Sequence, residues 1–453
     1  MTTREENELL THTGRGTPMG DLMRRFWLPA LLSRELEADG APLRVRLLGE
    51  NLVAFRNTEG QVGLLREHCA HRGASLYFAK NEACGLRCLY HGWKYDVDGN
   101  CLDQPNEPPQ NQFKDKVKQP AYPCIERNGI VMTYMGPPEK KPPLPEFEWL
   151  TVPESHVYIS KRYQDCHWLQ GMEGDIDSSH LGFLHGIEAM KKATEHDMAA
   201  SSTLVADGAY PKLEIVHKGN AIVQGARRDA DPGHHYWRIG AWLMPCFTVL
   251  PAFPQDAALG GHAWVPVDDT KVWAFGISWH PKRPLTSQEL EWFHDGTPTG
   301  IHSAMMPGTF VAARNKSNGY ADPARANAKQ PWQRITVFQD QDTAITESMG
   351  WDFDRSDEFL GNTDIVIAHA RRRLMEAARG LQQGKDPAVN PKDYRLRGVS
   401  VLLPRDVPSW SHTGSGWRPS FNPSSWIVRQ SGSYSRSEYF LPCTGFVRMK
   451  TAR

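Results

Sequence analysis

The chain has 453 residues, with 52 Lys plus Arg against 52 Asp plus Glu, which is long enough for more than one hydrophobic core and leaves no net field to attract nucleic acid or an anionic membrane. A small molecule or a protein is the expected partner. The opening "MTTREENELLTHTGRGTPMG" lacks the apolar core of a signal peptide and no apolar run reaches the length of a membrane span, so a cytoplasmic protein is expected, and its eight cysteines point to metal rather than to a disulfide framework.

Residues 17–35, "TPMGDLMRRFWLPALLSRE", place apolar residues at helical spacing behind a Thr cap with Pro in the first turn, which predicts a short amphipathic helix. From 43 to 66, "RVRLLGENLVAFR" and "QVGLLRE" alternate around Asn57 and Gly60 and predict antiparallel strands. A stretch dense in cysteine and histidine follows at 69–101, with "VDGN" at 97–100 as a hairpin turn. The proline-rich passage 136–153 reads as a linker, so a first domain is expected over 1–150. Beyond it come a helical patch at 167–195, the strand-like runs "AIVQGARR", "YWRIGAWLMPCFTVLPAF" and "KVWAFGISWH", and helices near 340–350 and 363–383. This predicts an α+β second domain over 151–403, an antiparallel sheet with helices, followed by a Pro, Ser and Gly-rich extension at 404–453.

The stretch 69–101 contains Cys69, His71, Cys84, Cys88, His91 and Cys101. Cys69 and His71 form a C-x-H pair, and Cys88 and His91 form a C-x-x-H pair sixteen residues on. Ligand softness alone allows a Cys2His2 zinc site. The spacing favours a Rieske [2Fe-2S] centre, because each loop supplies one Cys and one His, whereas a zinc finger separates its cysteines from its histidines. Cys84 and Cys101 fall outside the pattern and read as small buried apolar residues.

At 173–188, "EGDIDSSHLGFLHGIE" carries Asp177, His180 and His185. Asp177 and His180 share one face of a helix. His180 and His185 stand roughly 140° apart on an ideal helix, so a common ion requires the helix to end or widen between them, which Gly182 and Gly186 permit.

Together the two motifs resemble the oxygenase component of the Rieske non-heme iron oxygenases, and "GTPMG", "WLPALL", "VRLLGENLVAFR" and "EGDIDSSH" look like its phthalate dioxygenase branch. The resemblance implies an all-β Rieske domain followed by a helix-grip catalytic domain. It also implies a mononuclear Fe(II) held by His180, His185 and a carboxylate from "VFQDQDTAITESMG", where Asp342, followed by Glu347, is the choice and Asp340 the reserve. It implies electrons from a separate flavin-containing NADH reductase, and a trimer or hexamer in which Asp177 links His91 of one subunit to His180 of the next. Substrates in this branch are mostly aromatic carboxylates, hydroxylated on the ring or demethylated at an aryl ether. Among Arg227, Arg228 and Arg238, the last is the candidate for the carboxylate. A Rieske-type electron carrier is the non-enzyme alternative, and it leaves the second ligand set unexplained. Two departures from the family pattern stand out: Ala70 where Pro is usual, and His167 where Asn is usual, the latter titratable near neutral pH.

Overall fold

In the structure, a computed structural model that describes residues 2–185, 210–251, 257–296, 300–407 and 409–410, the 17–35 segment divides. Helix α1 (Arg4–Thr11) and helix α2 (Pro18–Met23) are short, and strand β1 (Trp27–Leu32) begins where the predicted helix was to continue. Thr17 caps α2 by accepting from the Gly20 amide at 3.2 Å, as predicted. The continuation fails because Pro29 has no amide for a helix interior and all of β1 is buried, which an extended strand between neighbours satisfies better.

Strands β2 (Leu43–Leu47), β3 (Glu50–Arg56) and β4 (Val62–Arg66) form the expected antiparallel sheet. Asn57 closes the second turn, its side-chain oxygen accepting from Glu59 N at 3.0 Å and Gln61 N at 2.8 Å. Strands β5 (Lys80–Glu82), β6 (Gly85–Arg87), β7 (Lys94–Tyr95) and β8 (Cys101–Asp103) make a second sheet, in which Asp96 closes the 97–100 turn through Asp98 N and Asn100 N. Strands β9 (Cys124–Arg127) and β10 (Ile130–Tyr134) complete a third sheet with β1. The proline-rich passage carries only 3-10 turns, yet Phe147, Trp149 and Leu150 in it are buried.

Strands β11 (Val157–Gln164), β12 (Lys212–Lys218), β13 (Ala221–Asp231), β14 (His234–Leu243), β15 (Phe247–Leu250), β16 (Leu259–Pro266), β17 (Val272–Trp279) and β18 (Val399–Pro404) form an eight-stranded antiparallel sheet in the order β11-β17-β16-β15-β14-β13-β12, with β18 on β14. One edge of β14 is shared end to end: Ala241–Leu243 pair with β15, and His234–Ile239 pair with β18. The helices of this part of the chain are α3 (Trp168–Ile176), α4 (Leu181–Leu184), α5 (Ser287–Asp295), α6 (Phe338–Ser348) and α7 (Ile365–Gln382), of which α3 and α7 lie on the sheet and α6 lies against α3. Helix α3 lies close on β16 because Gly171 faces the Trp264 ring, where a Cβ would stand 2.3 Å away. An apolar core runs from Leu10 and Leu28 through Trp168 and Trp242 to Leu374. Lys161, 4% exposed, donates to both Glu35 oxygens at 2.9 and 3.0 Å beside it. The α+β expectation holds; the predicted helical patch beyond 185 and the extension beyond 410 lie outside the described residues.

Candidate metal centres and active site

The two cysteine loops are built alike. Cys69 N donates to Ala74 O and Gly73 N to Cys69 O, both at 2.9 Å; Cys88 N donates to Trp93 O at 2.8 Å and Gly92 N to Cys88 O at 2.9 Å. Each loop closes at a glycine in the left-handed region, Gly73 at φ 76° and Gly92 at φ 79°. The turns bring His71 and His91 together, with ring centroids 4.6 Å apart, and His71 stacks on Trp93 at 4.3 Å. Cys69 and Cys88 are buried beneath them. The Cys88 thiol beside it and the Tyr95 hydroxyl 3.1 Å away bring Cys69 down to about 6, while the same closeness to Cys69 pushes Cys88 up. Two neighbouring sulfurs next to two imidazoles are the donor set a [2Fe-2S] cluster of Rieske type takes. Buried Gln119 clamps the first loop: its oxygen accepts from Ala70 N at 2.7 Å, and its amide donates to Arg66 O at 2.7 Å and His68 O at 3.0 Å. Ala70 is therefore used through its backbone, and no ring is needed there. Cys101 is buried on β8, whereas Cys84 is half-buried in the β5–β6 turn at φ 61°, which corrects its reading as a buried residue.

The second set is assembled across the fold. Among the described residues, His180, His185 and Asp342 each place one ligand atom within 4.8 Å of the others. His180 Nε2 and His185 Nε2 lie 3.6 and 3.4 Å from Asp342 Oδ1. The helix expected to end or widen between the histidines breaks earlier, before His180: α3 ends at Ile176, Asp177 is extended, and α4 spans only the four residues between the histidines. Asp177 and His180 therefore do not share a helical face. Asp177 reaches back across the turn instead, its Oδ2 3.4 Å from His180 Nδ1 and its Oδ1 accepting from Ser179 N at 2.6 Å and Ser179 Oγ at 2.7 Å. Burial pushes Asp177 up, but the His180 and Ser179 hydrogen bonds outweigh it and hold the carboxyl below its usual range. On the other ring, His185 Nδ1 lies 2.8 Å from Gln341 Oε1. Both imidazoles thus spend Nδ1 on a protein acceptor and turn Nε2 to Asp342, an arrangement that fixes the tautomer for a metal. Two imidazoles and one carboxylate in this spacing suit a divalent iron with open positions.

Asp340, the reserve carboxylate, is 1% exposed and clasped by Arg314. It anchors α6, and Asp342 two residues on is the one brought to the histidines. Glu347 serves elsewhere, accepting from Asp165 N at 3.0 Å and from the Tyr320 hydroxyl. His167 is also corrected. It caps α3, with Nδ1 accepting from Leu169 N at 3.2 Å and Nε2 donating to Thr11 O at 2.9 Å, and burial pushes it down to about 3, far from neutral.

A cavity of about 470 Å³ opens at this second set, lined by Asp177, His180, His185 and Asp342 together with Arg238 and apolar Leu250, Ile301 and Phe338. Of the three arginines, Arg238 on β14 reaches it at 6% exposure. Arg228 donates to Ser178 O at 2.5 Å, and the Arg227 guanidinium lies 5.6 Å from the Trp237 ring. Sequence reasoning missed Gln341, Gln119 and the Phe338 ring, 4.9 Å from that of His185. Nothing local marks them, since each acts on a partner distant in sequence.

Comparison with known proteins adds two matched families, a Rieske [2Fe-2S] domain over residues 26–119 and a family described as LigXa C-terminal domain like over 133–404. The chain is 36% identical to the 3-chlorobenzoate-3,4-dioxygenase oxygenase subunit of Comamonas testosteroni, over 90% of this chain and 96% of that one. It is 34% identical to the phthalate 4,5-dioxygenase oxygenase subunit of Pseudomonas putida, over 85% and 88%. The crystal structure of dicamba monooxygenase bound to dicamba shares the fold, with a TM-score of 0.53 at 17% identity over 80% of this chain and 99% of that one. No described helix is long and apolar enough to cross a membrane.

Proposed function

This chain belongs to the Rieske non-heme iron oxygenases, as an oxygenase subunit of the aromatic dioxygenase and demethylase kind, and on that premise we propose that it hydroxylates the ring of an aromatic carboxylate, as a phthalate-type dioxygenase does. It is an oxidoreductase that incorporates O2, with a Rieske [2Fe-2S] cluster and a mononuclear non-heme iron as cofactors. When bound, the cluster supplies single electrons and the iron supplies the place where O2 is activated. Cys69, His71, Cys88 and His91 hold the first; His180, His185 and Asp342 hold the second.

The observation that carries the substrate reading is the buried Arg238 guanidinium, which shares one cavity with the iron-ligand set and with apolar Leu250, Ile301 and Phe338. Arg238 offers a carboxylate a planar pair of donors, worth most where water is excluded, and Leu250, Ile301 and Phe338 take the ring. Arg238 therefore orients the acid and the apolar wall excludes water, while Gln341 and Asp177 keep the two imidazoles turned the same way.

Residues 1–150 receive electrons from a separate flavin-containing NADH reductase, and 151–403 perform the oxygenation. Subunits assemble as a trimer or a pair of trimers, in which Asp177 connects His180 to His91 of the neighbouring subunit. The Ser179 hydrogen bonds support this role, since they fix the carboxylate with one oxygen toward His180. The test incubates the reconstituted protein and a compatible NADH reductase with a panel of aromatic acids, following O2 uptake, ring-hydroxylated product and formaldehyde. O2 uptake with diol and no formaldehyde is the expected outcome; formaldehyde with a phenol assigns O-demethylation instead, and no uptake with any aromatic acid overturns the reading.

A further inference from the structure

Ile301 lines the cavity and is 7% exposed. Its Cδ1 lies where β16 comes close, 1.8 Å from the position a Cβ on residue 260 would take, so glycine at 260 leaves Ile301 the room it occupies. The main chain around it is pinned from three strands. Ile301 O accepts from His262 Nε2 on β16 at 2.9 Å. The next residue, fully buried His302, is hydrogen-bonded to Ser160 Oγ on β11 at 2.7 Å and Ser278 Oγ on β17 at 2.9 Å. Gly276 on β17 allows this approach, since a Cβ there would stand 2.6 Å from Ile301 O.

His262 is itself held from α3. Its Nδ1 lies 2.9 Å from Asp175 Oδ2, and that oxygen also accepts from Trp264 Nε1 at 2.7 Å. On the preceding side, a Cβ on Gly300 would lie 3.6 Å from the Cβ of Phe338, whose ring packs on His185. Ile301 is thus held against β11, β16 and β17 through His302 and through its own carbonyl. A β-branched side chain on such a backbone has few rotamers to retreat into, and close-packed surroundings do not yield to extra atoms.

Resting on the reading of this cavity as an aromatic-acid site, we propose that Ile301 determines how large a ring substituent the enzyme accepts. With the carboxylate held at Arg238, a narrow ring passes Ile301 and a wide one collides with it. Apolar walls of this kind discriminate by one or a few methylenes at roughly tenfold to a few hundredfold.

The experiment measures dissociation constants and kcat/KM for benzoate and biphenyl-4-carboxylate, using the holoenzyme with its reductase, for the parent and for Ile301→Ala, Ile301→Val and Ile301→Phe. Ile301→Ala is expected to shift preference toward biphenyl-4-carboxylate by about tenfold or more, Ile301→Val by a few-fold, and Ile301→Phe in the opposite direction. The dissociation constants need no turnover and so read the wall independently of electron delivery. A preference unchanged within about twofold in Ile301→Ala, with the parent's visible spectrum and melting temperature retained, overturns the assignment. Should that variant not fold, an unchanged preference in Ile301→Val overturns it equally. If the parent binds no aromatic acid at all, the reading of the cavity falls and this inference with it; binding by the parent without a shift in the variants sinks Ile301 alone.

Discussion

The two candidate metal centres differ in how they are built. The Rieske loops are local: two short turns of the same hydrogen-bond pattern, each with its own glycine, present four donors drawn from 23 consecutive positions, 69–91. The iron-ligand set is dispersed. Two histidines flank a one-turn helix, the carboxylate arrives from α6 more than 150 residues later, and the half-buried Arg314 holds that helix by the buried Asp340. A centre made of turns depends on backbone conformation, whereas a centre made of packed helices depends on side chains that never touch the metal.

The largest effects separate the two outright. Cys69→Ala or Cys88→Ala should abolish the red-brown spectrum completely, whereas His180→Ala or His185→Ala should keep the colour and remove mononuclear iron and activity; metal analysis beside the visible spectrum checks both. Loss of the cluster in His180→Ala would mean the centres are not independent. Next, Asp177→Asn should retain both metals while slowing reoxidation of pre-reduced cluster by about 100-fold on mixing with substrate and O2, as expected for a group that orients a metal histidine. Reoxidation at the parent rate with full iron occupancy would remove Asp177 from the path between the centres.

Arg314→Ala probes the dispersed centre from a distance. It strips the buried Asp340 carboxylate of its ion pair and leaves it Ser303 and the more distant Arg162, at a cost of about 2 kcal/mol, and should loosen iron while leaving the cluster spectrum alone. Urea unfolding and iron titration test this, and equal loss of both metals would show that the fold as a whole has failed. The narrowest effect, confined to one pH window, concerns the entry to α3. His167 falls from its ordinary value near 6.5 to about 3 in the fold, so the unfolded chain binds the extra proton first. Its contribution is fully present above pH ~6.5 and lost as pH falls toward 3, at up to about 1.4 kcal/mol per pH unit. His167→Asn, which can still cap α3, should flatten that slope in unfolding measured at pH 5, 6 and 7.

The same contrast governs what could be read from the sequence. Cys69, His71, Cys88 and His91 were legible because their spacing is their geometry: each pair sits on one turn. The β2–β4 strands and α6 were legible from periodicity and turn residues. Residues 27–32 were misread as helix because a fully buried strand has no alternation to betray it, and only Pro29 argued otherwise. The break after Ile176 was invisible for a related reason, since Asp177 ends α3 by bonding to Ser179 and His180, which no pattern of apolar residues records. Asp342 was chosen over Asp340 by resemblance, whereas the physical distinction is Arg314, which has no signal near either residue. His167 was misjudged because its ring is tied to Thr11 at the end of α1, far away along the chain.

The shared edge of β14 has a consequence for biosynthesis. Arg238 sits in the half of that strand whose outer partner is β18, pairing with Ser400. A nascent chain therefore pairs one side of His234–Ile239 with β13 but leaves the backbone groups on the other side open until Val399–Pro404 has left the ribosome, about 160 residues later. At translation rates of roughly 5–20 residues per second, that is a window of about ten to thirty seconds in which an open strand can recruit a neighbouring chain. Premature termination between the end of β14 and residue 399 leaves the edge open for good, so such truncated products should appear as aggregates rather than as partially active enzyme.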